Sequence, residues 1–507
     1  MNAMTLRFDD WDTQGLARFG YRRFPEAVFL TLALENAAAA RRWLAEVPVA
    51  DAVLRPAPPS RALQVALSRP GLERLGVPPA VVAGFSAEFL SGMAGEESRS
   101  RRLGDVGESG PEAWAWGGPG RSPDLLVLLY AQAGELPAFT EQVERELAHS
   151  GLRLETRLQA SNLSGVEPFG FKDGLSQPDI DFARRLPRGG PDRATYSNRL
   201  ALGEVLLGYP NEYGKYTDRP VLPRDTPFAG ALPAAEDAAD RLDLGRNGSY
   251  LVLRQLRQDV RGFWQFLDQK AKYRPEERRQ LAEAMVGRTL GGDPLVPLGS
   301  TIAGVGPDAE DVRYNQFTYE GDPQGERCPL GAHARRANPR NADLPGARGP
   351  LSRLSRMLAL FGGQGVREDV VASARFHRMV RRGRPYGPRL SPEEAVRPAP
   401  AGDPERGLYF LCLNGNLGRQ FEFVQNAWIM STSFGGLSEE GDPLLGSRAP
   451  LLGCPATDAF SLAAVHGVRP RLAALPRFVT VRGGAYFFLP GIRALRYIAA
   501  AGGGTES

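Results

Sequence analysis

The sequence predicts an α+β protein in which a ferredoxin-like plan, an antiparallel sheet with peripheral helices, occurs twice. Three observations carry this. The first 160 residues alternate strand and helix in the order β-α-β then β-α-β. The longer second part repeats that order with decoration. No short-period repeat is present, which sets solenoids and propellers aside. The two units are expected at 1–165 and 166–507, the second carrying long loop insertions.

Each element has a local reason. Ala27 to Glu35 (AVFLTLALE) is rich in strand-forming apolar residues and reads as a buried strand. Asn36 then caps an Ala-rich helix, Ala37 to Val47. Ala62 to Ser68 alternates with period two and is the second strand. Leu125 to Ala131 is the third, followed by a helix over Leu136 to His149 and a fourth strand over Leu152 to Leu158. The polar, Gly/Ser-rich stretch Gly95 to Ser122 reads as a loop insertion. In the second part, Ser249 to Leu256 is a strand, and a helix runs around Phe263 to Glu283. Ala374 to Val380 and Leu408 to Leu413 are further strands, with a Pro/Glu/Arg loop, Arg389 to Gly407, between them. Leu417 to Met430 carries a helical pattern. Phe478 to Leu489 reads as a hairpin joined through Arg482-Gly483-Gly484.

Composition excludes several classes. The chain has 507 residues, 42% hydrophobic and 24% charged, ordinary values for a globular protein. Its 59 Gly and 42 Pro predict long, rigid loops. The net charge is +4, and nearly all of the 62 cations are Arg; Lys172, Lys215, Lys270 and Lys272 are the exceptions. They are interspersed with 58 acids and form no dense basic block, which argues against a nucleic-acid partner. No apolar run reaches 18 residues, so no membrane span is expected. Met1 to Tyr21 carries Asp9, Asp10 and Asp12 and lacks the apolar region of a secretion signal; Arg22-Arg23 is not followed by one either. The expectation is a cytoplasmic protein. Cys328, Cys412 and Cys454 are too few and too scattered for a disulfide framework or a zinc site, and Cys328 reads as a small buried hydrophobe.

Four histidines are present: His149, His333, His377 and His466. A four-ligand protein metal site would need nearly all of them, whereas a haem needs one. His333 follows Cys328-Pro329-Leu330-Gly331-Ala332 and precedes Asn338-Pro339, which predicts a helix of about two turns between the prolines. Gly331, Ala332 and Ala334 would leave room for a flat group beside the imidazole. Asp173 lies in Gly170-Phe171-Lys172-Asp173-Gly174, a tight loop in which a carboxylate can point into a cavity. In Phe376-His377-Arg378-Met379-Val380-Arg381-Arg382-Gly383, strand alternation would put 377, 379 and 381 on one face. Taken singly, each segment reads as ordinary structure: a core histidine, an Asp-Gly turn, a solvated arginine.

Together and in this order, the GFKDG loop, the CPLGAH and RRANPR segment, the HRMVRRG strand and Arg419 to Gln425 resemble the dye-decolorizing haem peroxidases. So do Gly208 to Pro220, Gly245 to Asp259 and the C-terminal FVTVRGGAYFFLPG, so the similarity covers most of the chain. The resemblance implies two ferredoxin-like domains with haem b (iron protoporphyrin IX) in the C-terminal one. It implies an enzyme that reduces hydrogen peroxide and oxidises dyes, phenolics or other small organic reductants through a ferryl intermediate. His333 matches the proximal iron ligand, Asp173 the distal acid and Arg381 the distal arginine. Leu408 and Phe410 match apolar residues over the distal face, and His377 would meet a haem propionate. The resemblance names no physiological reductant and no oligomeric state.

Two questions stay open at this level. Some family members carry Asp where this chain has Asn416, so the acceptor for the second ring nitrogen of His333 is Asn416, Glu440 or Asp442. Trp428, Tyr386 and Tyr409 adjoin the haem-site segments and are either electron relays or core residues. The rival functions are a haem-binding, storage or iron-release protein without efficient turnover, and a scaffold that has lost its cofactor. The first needs His333 but neither Asp173 nor Arg381.

Overall fold

The computed structural model describes residues 8–186, 197–296, 314–340, 373–448 and 457–502; Cys454 lies outside the described residues. The first unit contains β1 (Glu26–Leu34), α1 (Ala37–Glu46), β2 (Arg61–Leu67), β3 (Leu125–Ala131), α2 (Leu136–Ala148) and β4 (Leu152–Gln159). β3 is apolar and buried at every position, as its LLVLLYA sequence requires. The Asn36 side chain accepts from the Ala39 N–H at 3.0 Å and starts α1 where the sequence places it.

The second unit contains β5 (Ser249–Gln258), α3 (Val260–Lys270), α4 (Pro275–Val286) and α5 (His333–Ala337). It continues with β6 (Val380–Arg381), β7 (Arg384–Tyr386), β8 (Gly407–Asn414), β9 (Val479–Leu489) and α6 (Ile492–Ala501). A wide π-type helix over Gly418–Glu422 and Val424–Met430 separates β8 from β9.

These nine strands form one antiparallel sheet, in the order β6-β8-β5-β9-β2-β3-β1-β4, with β7 also pairing β8; among the described residues the remaining short strands form separate two-stranded pairs. With the short β7 left out, both halves follow the same path: second, third, first, fourth strand of the unit. They join where β9 meets β2, with Phe488 opposite Leu67. The apolar stripes of α1, α2, α3 and α6 pack on one sheet face through Leu44, Val143, Phe263 and Leu495. The other face is covered by N-terminal and loop residues such as Leu16, Phe24, Leu206 and Tyr209. Burying each such side chain contributes roughly 1.5–3 kcal/mol.

Several local expectations are corrected. Phe478 to Leu489 is not a hairpin. It is one strand, β9, bulged between Val481 and Gly483 and paired to β5 along its length. Neither Gly483 nor Gly484 has the positive φ that a two-residue hairpin turn demands. The glycine is there for space: a Cβ on Gly483 would lie 2.5 Å from Trp116 Nε1, which donates to Gln255 Oε1 at 2.9 Å. The helix around Phe263 to Glu283 is two helices, α3 and α4. The Gly95 to Ser122 insertion contains a helix, Glu97–Leu103, and the Arg389 to Gly407 loop one turn, Pro392–Ala395. The strand expected over Ala374 to Val380 is a short helix, Ser373–Phe376, then the two-residue β6.

Candidate active site

A cavity lies between the β5, β8 and β9 end of the sheet, the π-type helix and α5. Asp173, His333, His377, Arg381, Leu408 and Phe410 all line it. The structure therefore brings together every site residue read from the sequence.

His333 is the first residue of α5, a helix of five residues rather than two turns. Pro329 instead closes the turn before it, with the Ala332 N–H donating to the Pro329 carbonyl at 3.1 Å. Arg336 anchors α5 by donating to the carbonyls of Trp428, Ser431 and Glu440 at 2.7, 2.9 and 2.6 Å. Ala334 and Ala337 face the cavity. Gly331 and Ala332 do not: Gly331 packs near Leu437 and Phe460, and Ala332 lies against Gly287.

The acceptor question resolves to Asp442. Its Oδ2 lies 3.0 Å from His333 Nδ1, while Oδ1 accepts from the Leu444 and Leu445 N–H groups at 2.9 and 2.8 Å. Burial alone would raise the Asp442 carboxyl. The His333 charge and these hydrogen bonds outweigh that and hold it below the ordinary range. Burial would likewise lower the imidazole, but Asp442 holds it above its usual value. An ionised Asp442 puts the proton on Nδ1 and leaves the Nε2 lone pair free. Asn416 is occupied elsewhere, its Oδ1 accepting from the Arg419 N–H at 2.8 Å. Glu440 binds the Ser461 N–H and hydroxyl.

The Asp173 loop is held from several sides. Gly174 has φ +75°, and a Cβ there would collide with the Arg22 guanidinium, so only glycine fits. Asp173 Oδ1 accepts from the Gly174 N–H, and the Asp173 N–H donates to the Gly165 carbonyl at 2.9 Å. Gln177 ties this loop to β6, its Oε1 accepting from the Arg381 N–H at 3.1 Å. Among the described residues, no carboxylate pairs with the Arg381 guanidinium, and no ion pair joins it to Asp173.

Two cavity groups were not anticipated from the sequence. Glu167 is half-buried and accepts from Gln258 Nε2 and from the N–H groups of Phe169 and Phe171, at 2.9, 3.0 and 3.0 Å. Burial pushes its carboxyl up to about 7. Arg288 donates to Ser176 Oγ and to the Gly292 and Tyr314 carbonyls. Burial lowers it to about 10. A glutamate six positions before Asp173 is the only trace either left in the sequence.

His377 reaches the cavity from the end of a helix rather than from a strand face. Its ring stacks on Phe423, with centroids 3.6 Å apart, and meets Trp428 edge-on. Nδ1 donates to the Arg419 carbonyl. Burial drives its pKa down to about 4, so the ring is neutral. Trp428 is buried and lines the cavity. Tyr386 and Tyr409 stack on each other, centroids 4.6 Å apart, in the core on the opposite sheet face. Cys328 is buried, its thiol pushed up to about 12, as expected of a small core residue.

No family model matches the sequence. A curated relative, the multifunctional dye peroxidase DyP2 of Amycolatopsis sp., is 30% identical over 457 residues, covering 86% of this chain and 81% of the relative. The chain belongs to the dye-decolorizing peroxidase family. It is an enzyme of the peroxidase class. A second relative, dye-decolorizing peroxidase msp1 of Mycetinis scorodonius, is 28% identical over 87% of this chain and 77% of its own length. This dye-decolorizing peroxidase also shares its fold with solved members. The crystal structure of a fungal member from Auricularia auricula-judae superposes with a TM-score of 0.72 at 24% identity, over 98% of this chain and all of that one. DyP2 from Amycolatopsis sp. gives 0.65 at 26% identity over 93% of each. Among the described residues no helix is long and apolar enough to cross a membrane.

Proposed function

We propose that this chain is a haem b-dependent peroxidase that reduces hydrogen peroxide with electrons from dyes, phenolics or other small organic reductants. One observation carries the reading: a histidine with its Nδ1 proton committed to Asp442 shares a largely apolar cavity with Asp173 and with Arg381, which no described carboxylate pairs. That cavity fits a flat, mostly apolar group held by one imidazole. His333 would hold the iron through Nε2, and Leu408 and Phe410 would cover the apolar distal face. His377 would meet a propionate once Nε2 gains a proton, which the propionate's negative charge favours.

When bound, iron protoporphyrin IX supplies a centre that takes electrons one at a time from reductants and passes two to peroxide. Asp173 moves the proton. Its Oδ1 is engaged by the Gly174 N–H, so Oδ2 accepts a proton from one peroxide oxygen and returns it to the other, allowing water to leave. Arg381 stabilises the negative charge that develops as the O–O bond breaks, and among the described residues no carboxylate pairs with it, which leaves that charge available. One peroxide and two reductant molecules AH balance to two waters and two A radicals.

We place the boundary between the ferredoxin-like units at 165/166, which falls after β4 and before the Asp173 loop. Buried, unbridged thiols at Cys328 and Cys412 support a reducing, cytoplasmic setting.

Stopped-flow absorbance of the haem-loaded protein with hydrogen peroxide tests the reading. A rapid Soret change that reverses on adding a phenol supports it. Slow bleaching with no reversible phase would favour haem storage or release instead.

A further inference from the structure

The cavity holding Asp173 opens into a second compartment of about 670 Å³. The two share Lys172, Asp173, Arg381, Leu408 and Phe410. The outer walls come from the turn at Phe19 to Pro25, the loop around Ser161 to Gln177, and Arg381 to Pro385.

Six cations line this vestibule: Arg22, Arg23, Lys172, Arg381, Arg382 and Arg384. Among the described residues Asp173 is its only acid. Among the described residues, none of the six is paired with a carboxylate. Arg22 donates to the Asp173 and Gly174 carbonyls, and Arg382 to those of Leu16 and Ala17. Arg384 donates to the Tyr21 carbonyl, while its Nε is buried without a partner. The Lys172 ammonium sits 4.2 Å over the Tyr314 ring, and Arg23 lies over Phe19 and Phe24. Carbonyls and ring faces orient a cation without neutralising it. Other arginines of this chain do have acid partners, as Arg219 has Asp243 at 2.7 Å and Arg184 has Glu236 at 2.6 Å. Phe19, Leu163, Leu175 and Tyr314 supply apolar surface beside the charges.

We propose that this vestibule binds aromatic anions, rings bearing a carboxylate or sulfonate, and so selects anionic over neutral reductants for the cavity behind it. The inference rests on the peroxidase reading for its purpose but not for its binding test. A concave site with low-dielectric walls and one sign of charge concentrates counter-charged ligands, and salt screens the effect. The rings supply contact for the aromatic body and the guanidiniums supply forked donors for the anionic group.

Calorimetric titration of the holoenzyme without peroxide decides it, using 4-hydroxyphenylacetate and 4-hydroxyphenylacetamide. They share the phenol and differ in one charge. At low salt the anion is expected to bind about tenfold more tightly, an advantage that falls severalfold near ~0.5 M salt. Arg23→Glu, at an exposed position that tolerates substitution, should remove most of that advantage; Arg384→Gln should do the same. Equal affinities at low salt, a salt-independent preference, or a preference untouched in both variants would each overturn the proposal. Where Arg384→Gln does not fold, Arg23→Glu alone decides. With peroxide added, KM should follow the same order. Selective anion binding without turnover of either phenol would sink the peroxidase reading and leave this one standing.

Discussion

Asp442 Oδ2 lies 3.0 Å from His333 Nδ1, across 109 residues of chain. The carboxylate is wholly buried, and its other oxygen is fixed by two backbone N–H groups. Asp442 therefore sets the tautomer and the basicity of the imidazole, and Asn416 does neither. Asp442→Asn is expected to raise the reduction potential of bound haem iron, because a neutral amide is a weaker acceptor, and to lower activity by about 10–100-fold. Spectroelectrochemical titration of both proteins checks this. Asn416→Asp should leave the potential where it is.

At the distal side, charge and geometry separate. Arg381→Lys keeps a cation but loses the fork, whereas Arg381→Leu loses both. The peroxide reaction is expected to slow in both, by roughly 10²–10³-fold for Leu and less for Lys. Asp173→Asn should slow it by roughly 10²–10⁴-fold. Haem content, read by pyridine haemochrome, should be unchanged in all three. Loss of haem instead would make these residues part of the scaffold.

Two cavity-lining groups give opposing pH slopes. Glu167 has a folded pKa raised to about 7, so the native state binds the extra proton, and stability falls as pH rises from about 4.5 to 7. His377 is depressed to about 4, so its contribution is present above about 6.5 and is lost as pH falls toward 4. Over the shared window the slopes oppose each other. Denaturant unfolding of the haem-free protein at pH 5 and pH 7 should show Glu167→Gln gaining relative to wild type as pH rises. The stability deficit of His377→Asn should be larger at pH 7 than at pH 5. Parallel pH profiles for wild type and both variants would contradict these assignments.

Gly483→Ala places a methyl 2.5 Å from Trp116 Nε1 in the middle of a paired strand. The expected cost is about 1–3 kcal/mol, as for other overpacked sites. Thermal or denaturant unfolding measures it. A turn in a real hairpin would have tolerated the methyl far better on the solvent side.

The apolar strands were the legible part of this fold. AVFLTLALE and LLVLLYA are apolar enough to announce themselves, and Asn36 marks its helix start by its own side chain. What could not be read depends on distant partners. Gly483 looks like a turn until Trp116 is seen beside it. His377 looks like a strand residue until Phe423 and Trp428 enclose its ring. The choice among Asn416, Glu440 and Asp442 needed three-dimensional proximity, since all three have suitable chemistry. Glu167 was missed because a carboxyl that clamps a loop has no spacing signature. The motif residues Asp173, His333 and Arg381 were found by resemblance, and the cavity brings them to one place.

β9 is the last strand in the described chain, yet it lies near the centre of the sheet, between β5 and β2. During synthesis the ribosome delivers both neighbours long before the strand that joins them. Until then β5 and β2 each present an open edge with unpaired backbone groups, available to any other strand. The nascent chain is therefore vulnerable to mispairing until β9 emerges, and the sheet can become continuous only after the strands of both halves have been made.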